Sequence, residues 1–270
     1  MPVVSTHSLR FDAETVTKTY RSWTKGEPER EWAALGLLLQ HAPGLAPEPV
    51  SAVLDGEPPS IVMTRLPGSS LGGGPLTVTQ TKAVSVALHR LHTAVPAADL
   101  AAQPPRHWHP AEAVGNLRAW IAEPHEVGDA PQTAAAFGHA SRWLRSGDPD
   151  RLVYAKVPPV FALADGNLSN LVEADGEVRL VDFEDSGRSD RAYELADLVE
   201  HISMWIDDSV DTDVLVDAAD LDRVERARFD GFRRLWAVFW LLMLLPTGRA
   251  HARNPAGTLD RQAQRTLALM

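Results

Sequence analysis

Asp165, Asn170 and Asp182 stand close together in the stretch FALADGNLSNLVEADGEVRLVDFED, residues 161–185, and their types suit metal and proton chemistry. An apolar run over 160–163 reads as a strand that delivers Asp165 to a polar loop containing Gly166, Asn167, Ser169 and Asn170. A second run, 171–173, meets the turn dipeptide Asp175-Gly176, and the alternating segment 178–181 returns, which is the pattern of a β-hairpin. The return strand ends on Asp182, beside the loop that holds the other two residues. Carboxylate and amide oxygens converging there suit Mg2+, a hard cation that takes oxygen ligands and keeps several waters. Asn170 and Asp182 are thus candidate metal ligands, and Asp165 is left to accept a proton from a hydroxyl. Phosphoryl transfer asks for little more, because positioning and charge neutralisation carry most of its catalysis. Taken singly, each of the three also reads as a turn or surface residue of an acidic hairpin. The ordered triple on strand, loop and hairpin is what points to a site.

The elements that must position this stretch can be read in order. Residues 3–11 and 15–20 flank the polar turn Asp12-Ala13-Glu14 and predict a second hairpin, with Lys18 inside the alternating strand TVTKTY. Lys18 is one of only four lysines among the 26 basic residues. A helix follows, marked by Pro28 and the acids Glu27, Glu29 and Glu31 at its positive end, with Trp32, Leu35, Leu38 and Leu39 as the expected buried stripe. The Pro-rich loop 41–49 leads to the apolar run 60–63, and the composition then changes sharply in TRLPGSSLGGGP, which reads as a hinge. Beyond it, helices are predicted over 79–93, 110–123, 133–145, 192–206, 221–245 and 258–270. Trp120 and Trp143 are expected core anchors, and Trp108, between His107 and His109, is expected to line a cleft. Ser189 or Asp190 caps the fourth helix, whose apolar residues are Ala192, Leu195, Val199, Ile202 and Ile206. The fifth carries Val224, Phe232, Leu235, Phe239 and Leu242 in a stripe. His89 and His92 share a helix but have no acidic or His companion nearby in sequence, so they are expected to be ordinary surface or packing histidines rather than metal ligands. Arg261 and Arg265 on the last helix are expected to be surface charges.

At Asp165, Asn170 and Asp182 the chain resembles the aminoglycoside phosphotransferase-like family, small-molecule kinases that share the fold of protein kinases. That family carries His-Gly-Asp followed five residues later by Asn, and a metal-binding Asp at the end of the next strand. Asp165 matches its catalytic Asp, Asn170 its Asn and Asp182 its metal Asp; SGRSDRAYELADLVEHI looks like its helix after the metal site. The resemblance implies further that Lys18 pairs the nucleotide phosphates and that Glu31, ahead of Glu29, holds Lys18. It also implies that Thr64 and Leu66 meet the adenine edge while Met63 lines its pocket. Two departures stand out. Leu163-Ala164 replaces His-Gly, and no glycine precedes Gly26, so Ser5-Thr6-His7-Ser8 is the local candidate for a phosphate loop.

Composition narrows the partners. With 36 acids against 26 bases the formal charge is −10, which argues against nucleic acid or an anionic membrane and is compatible with a cationic substrate. The acids Glu184, Asp185, Asp190, Asp207 and Asp208 could meet its ammonium groups. There is no cysteine, which excludes disulfides and thiolate chemistry. The longest apolar run, 235–245, falls short of the roughly 20 residues that span a bilayer, so a cytoplasmic protein is expected.

The expectation is an α+β, two-lobed, protein-kinase-like fold, with a nucleotide lobe over 1–66, a hinge over 67–76 and a helical lobe over 77–270. Its function would be transfer of the γ-phosphate of ATP or GTP, with Mg2+, to a hydroxyl of a small molecule such as an aminoglycoside or related antibiotic. A catalytically silent kinase-like binding protein, a kinase of another small metabolite such as an amino alcohol or sugar, and a metal-dependent phosphoesterase are the alternatives.

Overall fold

Alternation and turn chemistry set the first sheet of the computed structural model, which describes residues 7–128, 130–207 and 210–270. Strand β1 (His7–Phe11) pairs with β2 (Thr15–Tyr20) across the Asp12 to Glu14 turn. Helix α1 (Glu27–His41) then crosses to β3 (Pro49–Val53) and β4 (Ser60–Thr64), giving an antiparallel sheet of order β1-β2-β4-β3. Residues 3–6 of the expected first strand, with Ser5 and Thr6 of the phosphate-loop candidate, lie outside the described residues. On α1 the buried face is Glu31, Ala34, Leu35 and Leu38; Leu39, expected inside, is 42% exposed. At 100° per residue the buried face runs from Ala34 through Leu38 and Glu31 to Leu35, and Leu39 lies 40° beyond Leu35, past its edge.

After the sheet, β5 (Ser69–Ser70) pairs with a strand much later in the chain, and helices follow: α2 (Val78–Ala94), α3 (Ala97–Ala102), α4 (Pro110–Ile121), α5 (Pro131–Arg145) and α6 (Asp148–Tyr154). Helix α2 starts on a reciprocal capping box between Thr77 and Gln80. The central stretch then supplies β6 (Val160–Ala162), a 3-10 turn at Leu168–Asn170, β7 (Leu171–Ala174), β8 (Glu177–Leu180) and β9 (Gly187–Ser189). Strands β5, β7 and β8 form one small sheet, and β6 pairs with β9. Gly68 is needed where β5 meets β7: its φ is +102°, and a Cβ there would lie 2.1 Å from the Glu173 carbonyl oxygen.

The chain closes with α7 (Arg191–Glu200), α8 (Ile202–Trp205), α9 (Thr212–Ala218), α10 (Arg223–Leu244) and α11 (Thr258–Leu269). Helix α10 is the spine, burying Phe229, Phe232, Leu235, Val238, Leu241 and Leu242. Each such side chain contributes about 1.5–3 kcal/mol relative to exposure. Val224 is exposed rather than part of the stripe, because at that level α7 is only beginning and its Arg191 meets Glu225 at 3.1 Å. Trp120 and Trp143 are partly buried and pack against the core. The single helix expected over 192–206 is two helices. His201 has ψ 138°, and its Nδ1 accepts a hydrogen bond from Ser203 N (3.2 Å), so α7 stops and α8 restarts. Arg265, expected at the surface, reaches back with Arg233 to the fully buried carboxylate of Glu200, at 2.8 and 2.6 Å. Among the described residues no helix is long and apolar enough to cross a membrane.

Candidate active site

The hairpin turns on Asp175 and Gly176, with φ +55° and +81°, as a two-residue turn matching the strand twist requires. Its register pairs Leu171 with Leu180, after which Val181 N donates to the Asn170 carbonyl at 3.0 Å. Asp182 therefore leaves the hairpin next to Asn170, itself in the left-handed region at φ +70°, a conformation that Asp tolerates better than most residues. Leu180 N also donates to the Leu45 carbonyl (2.8 Å), which ties this hairpin to the segment between α1 and β3.

Asp165 sits on the loop after β6. Its Oδ2 accepts from Asn170 Nδ2 at 2.9 Å and its Oδ1 from Asn167 N at 3.1 Å. The first bond uses the Asn170 amide nitrogen and leaves its oxygen as an acceptor. The loop lies directly on α7: a Cβ at Gly166 would stand 2.7 Å from the Asp197 carbonyl oxygen, so only glycine fits. Leu168 N donates to Ser203 Oγ at 3.0 Å, so the α7–α8 break also anchors this loop. Desolvation by the cleft walls and repulsion from Asp182 push the Asp165 carboxyl up to about 6, against the two hydrogen bonds that favour the anion. With 39% of the side chain open to the cleft, solvent moderates that push. His201 Nε2 lies 3.9 Å from Asp165 Oδ1, beyond hydrogen-bond length, and burial holds its pKa down at about 3, so it stays neutral.

Lys18 is the second centre, only 2% exposed. Its Nζ lies 2.6 Å from Glu31 Oε2 and 2.9 Å from Glu184 Oε2 and also donates to Asp182 Oδ1. Burial opposes its charge, but the three carboxylates outweigh burial and raise its pKa. Glu31 is held from three sides, because Tyr20 OH also donates to Oε2 and Phe183 N to Oε1 (3.4 Å). Glu29, the other candidate, is exposed. Burial draws the Glu184 carboxyl upwards, but His7 and Lys18 more than reverse this and hold it at about 2. His7, Asp182 and Glu184 offer ligand atoms within 4.8 Å of one another. Two carboxylates and an imidazole of this kind could hold a metal ion, and the amide oxygen of Asn170, on the residue next to which Asp182 leaves the hairpin, is of the type that Mg2+ takes.

At the hinge, Met63 is buried on β4 and paired with Val16. Thr64 N donates to the Glu48 carbonyl (2.9 Å), and Thr64 Oγ1 accepts from Glu48 N (2.8 Å). Leu66 is half-buried, and among the described residues no backbone bond reaches it.

Of the acids assigned to ammonium groups, Asp190 is not available: it caps α7 through Ala192 N and pairs with the buried Arg228. Asp185 meets His107, Asp207 is exposed, and Asp208 lies outside the described residues. His92 is buried, and burial holds its pKa down at about 3, as suits a packing histidine. The sequence reading named His7 only within the phosphate-loop candidate and Glu184 only as an acid for ammonium groups; it did not bring either to Lys18 and Asp182, where the structure places them. Trp108 packs edge-on against Phe239 at 5.2 Å, within an aromatic chain that runs through Trp240 to His201.

Comparison with known proteins follows the same geometry. A choline/ethanolamine kinase family protein from Mesorhizobium loti superposes with a TM-score of 0.66 at 17% identity, over 98% of this chain and 85% of that one. A choline kinase from Streptococcus pneumoniae gives 0.63 at 16% identity, over 100% and 91%. A spectinomycin phosphotransferase in complex with ADP and spectinomycin gives 0.58 at 12% identity, over 98% and 86%. At these identities the likeness establishes the fold, that of kinase-like phosphotransferases, with a strand-rich first part and a helical remainder. No curated protein matches the chain. The model of the phosphotransferase enzyme family matches residues 9–251, so the chain belongs to that family.

Proposed function

We propose that this phosphotransferase moves the γ-phosphoryl group of ATP to a hydroxyl of a small, amine-bearing molecule, with aminoglycosides and related antibiotics as the first class to test. The observation that carries this reading is that Asp182, which pairs with Lys18 beside Glu31, leaves the hairpin next to Asn170, which is bonded to Asp165. Lys18, braced by Glu31, is placed to bind phosphate oxygens. Asn170, Asp182 and Glu184 would hold Mg2+, which when bound neutralises charge on the phosphates. Asp165 accepts the hydroxyl proton and orients its oxygen for in-line attack. Leu66, with its backbone unengaged, is the adenine contact on the hinge, while Met63 lines the pocket and Thr64, its N–H already bonded, sits at the pocket's edge. The net charge of −10 and the exposed Asp207 suit a cationic acceptor.

A second reading, a nucleotide-binding protein without turnover, is favoured by Leu163-Ala164 at the place of the family's His-Gly. One experiment separates them. The protein is incubated with Mg·ATP and a pooled panel of hydroxylated antibiotics, amino alcohols and sugars, beside an Asp165→Asn control, and products are read by mass spectrometry. A phosphate mass gained by one compound, and lost in the control, supports the kinase. Nucleotide binding without any shift across the panel supports the silent protein, and transfer undiminished in Asp165→Asn would overturn the assignment of the base.

A further inference from the structure

Arg106 lies between α3 and α4, has no part in the proposed chemistry, and is 2% exposed. Its Nη1 donates to Glu194 Oε1 (2.7 Å), its Nη2 donates to the Ala164 carbonyl (2.8 Å) and faces Asp197 Oδ2 (3.0 Å), and its Nε donates to the His107 carbonyl (2.8 Å). The guanidinium also lies over the rings of Tyr193 and Trp236, at 5.0 and 5.6 Å. Burying this charge is costly unless its donors are used and its charge is balanced. Here one arm of the fork, beside Asp197, donates to a backbone carbonyl, that of Ala164.

That carbonyl belongs to the peptide unit whose nitrogen is Asp165's own, so fixing its plane fixes the direction in which Asp165 leaves the loop. Ala164 stands at φ +71°, where a Cβ is strained and glycine would stay without help. A cavity of about 20 Å³ beside the loop, lined by Leu163, Ala164, Asp165 and Asp197, gives the peptide room to relax. We propose that Arg106 is a positioning residue for Asp165: it pins the Ala164–Asp165 peptide in its left-handed turn and so makes Leu163-Ala164 workable in this loop. The proposal rests on Asp165 acting as the base.

The test compares Arg106→Lys, Ala164→Gly and the double variant by amide hydrogen exchange over residues 161–170 and by turnover of the acceptor or of Mg·ATP. Lysine keeps a cation between Glu194 and Asp197 but lacks the fork that reaches Ala164. Arg106→Lys is expected to raise exchange in this segment at least tenfold. It should also lower kcat at least tenfold, with KM for ATP unchanged. Adding Ala164→Gly should recover most of both, since glycine needs no pin. Unchanged loop exchange in Arg106→Lys, or a double variant no better than the single, would overturn the proposal and leave Arg106 as a tie for α7 alone. Asp165→Asn separates the two readings: if it keeps full turnover, the base assignment falls, while the exchange result still judges the pin.

Discussion

Lys18 and Arg106 are both 2% exposed, both lie among carboxylates, and yet are built differently. Lys18 is a compact point charge shared by Glu31, Asp182 and Glu184, two of which belong to the candidate metal site. Arg106 is a planar fork whose donors are aimed at Glu194, the Ala164 carbonyl and the His107 carbonyl. An ammonium can exchange one oxygen for another by a small rotation, whereas a guanidinium held by its fork cannot. The difference teaches which cation is free to meet a ligand: Lys18 can turn from Asp182 to a phosphate, and Arg106 is structural to the loop.

Removing the lysine should have the largest effect. Lys18→Met leaves Glu31 buried without a partner charge, and urea unfolding should show a loss of about 3–5 kcal/mol, with phosphoryl transfer falling below detection. A smaller loss than from a surface lysine would break the comparison. Asp165→Asn should lower turnover by about 10²–10⁴-fold while leaving the unfolding free energy at acid pH, where the Asp165 carboxyl is protonated, within about 0.5 kcal/mol of the parent.

The pH dependence sharpens the picture further. Because the Asp165 carboxyl is pushed up to about 6, its basic form grows as pH rises through 6, and kcat should climb along a single-proton limb there. The native protein holds that proton more tightly than an unfolded chain does. This group's share of stability is therefore full at acid pH and fades as pH rises towards 6. His201, held near 3, acts in the opposite sense, losing stability as pH falls from about 6.5. A pH–rate profile flat from 5 to 7 would remove Asp165 as the base. The smallest effect belongs to Ala164→Gly in the otherwise unchanged protein. Relief of the positive φ should stabilise it by about 1 kcal/mol at most, read as a rise in thermal midpoint.

Much of this was legible because local chemistry wrote it. Asp175-Gly176 can only be a tight turn between β7 and β8, so the return of Asp182 to Asn170 follows from residues within a dozen positions of one another. Lys18 on a strand and Glu31 in a helix's first turns were likewise readable, since each element announces itself by period and cap. What failed were judgements about which face is covered. Leu39 and Val224 fit an apolar pattern but lie where no neighbour reaches. The continuous helix over 192–206 satisfied its periodicity, and nothing local foretold that His201 would break it to serve Ser203 and the loop.

The sequence by itself determined the strand, loop and hairpin that carry Asp165, Asn170 and Asp182, because turn residues and alternation act over a few bonds. Only the tertiary structure decided that His7 and Glu184 meet at Lys18, and that Arg106 reaches Ala164 from 58 positions away. The physical reason is that a buried charge is defined by everything packed around it. No short stretch of chain records which distant carboxylates and carbonyls will share its desolvated space.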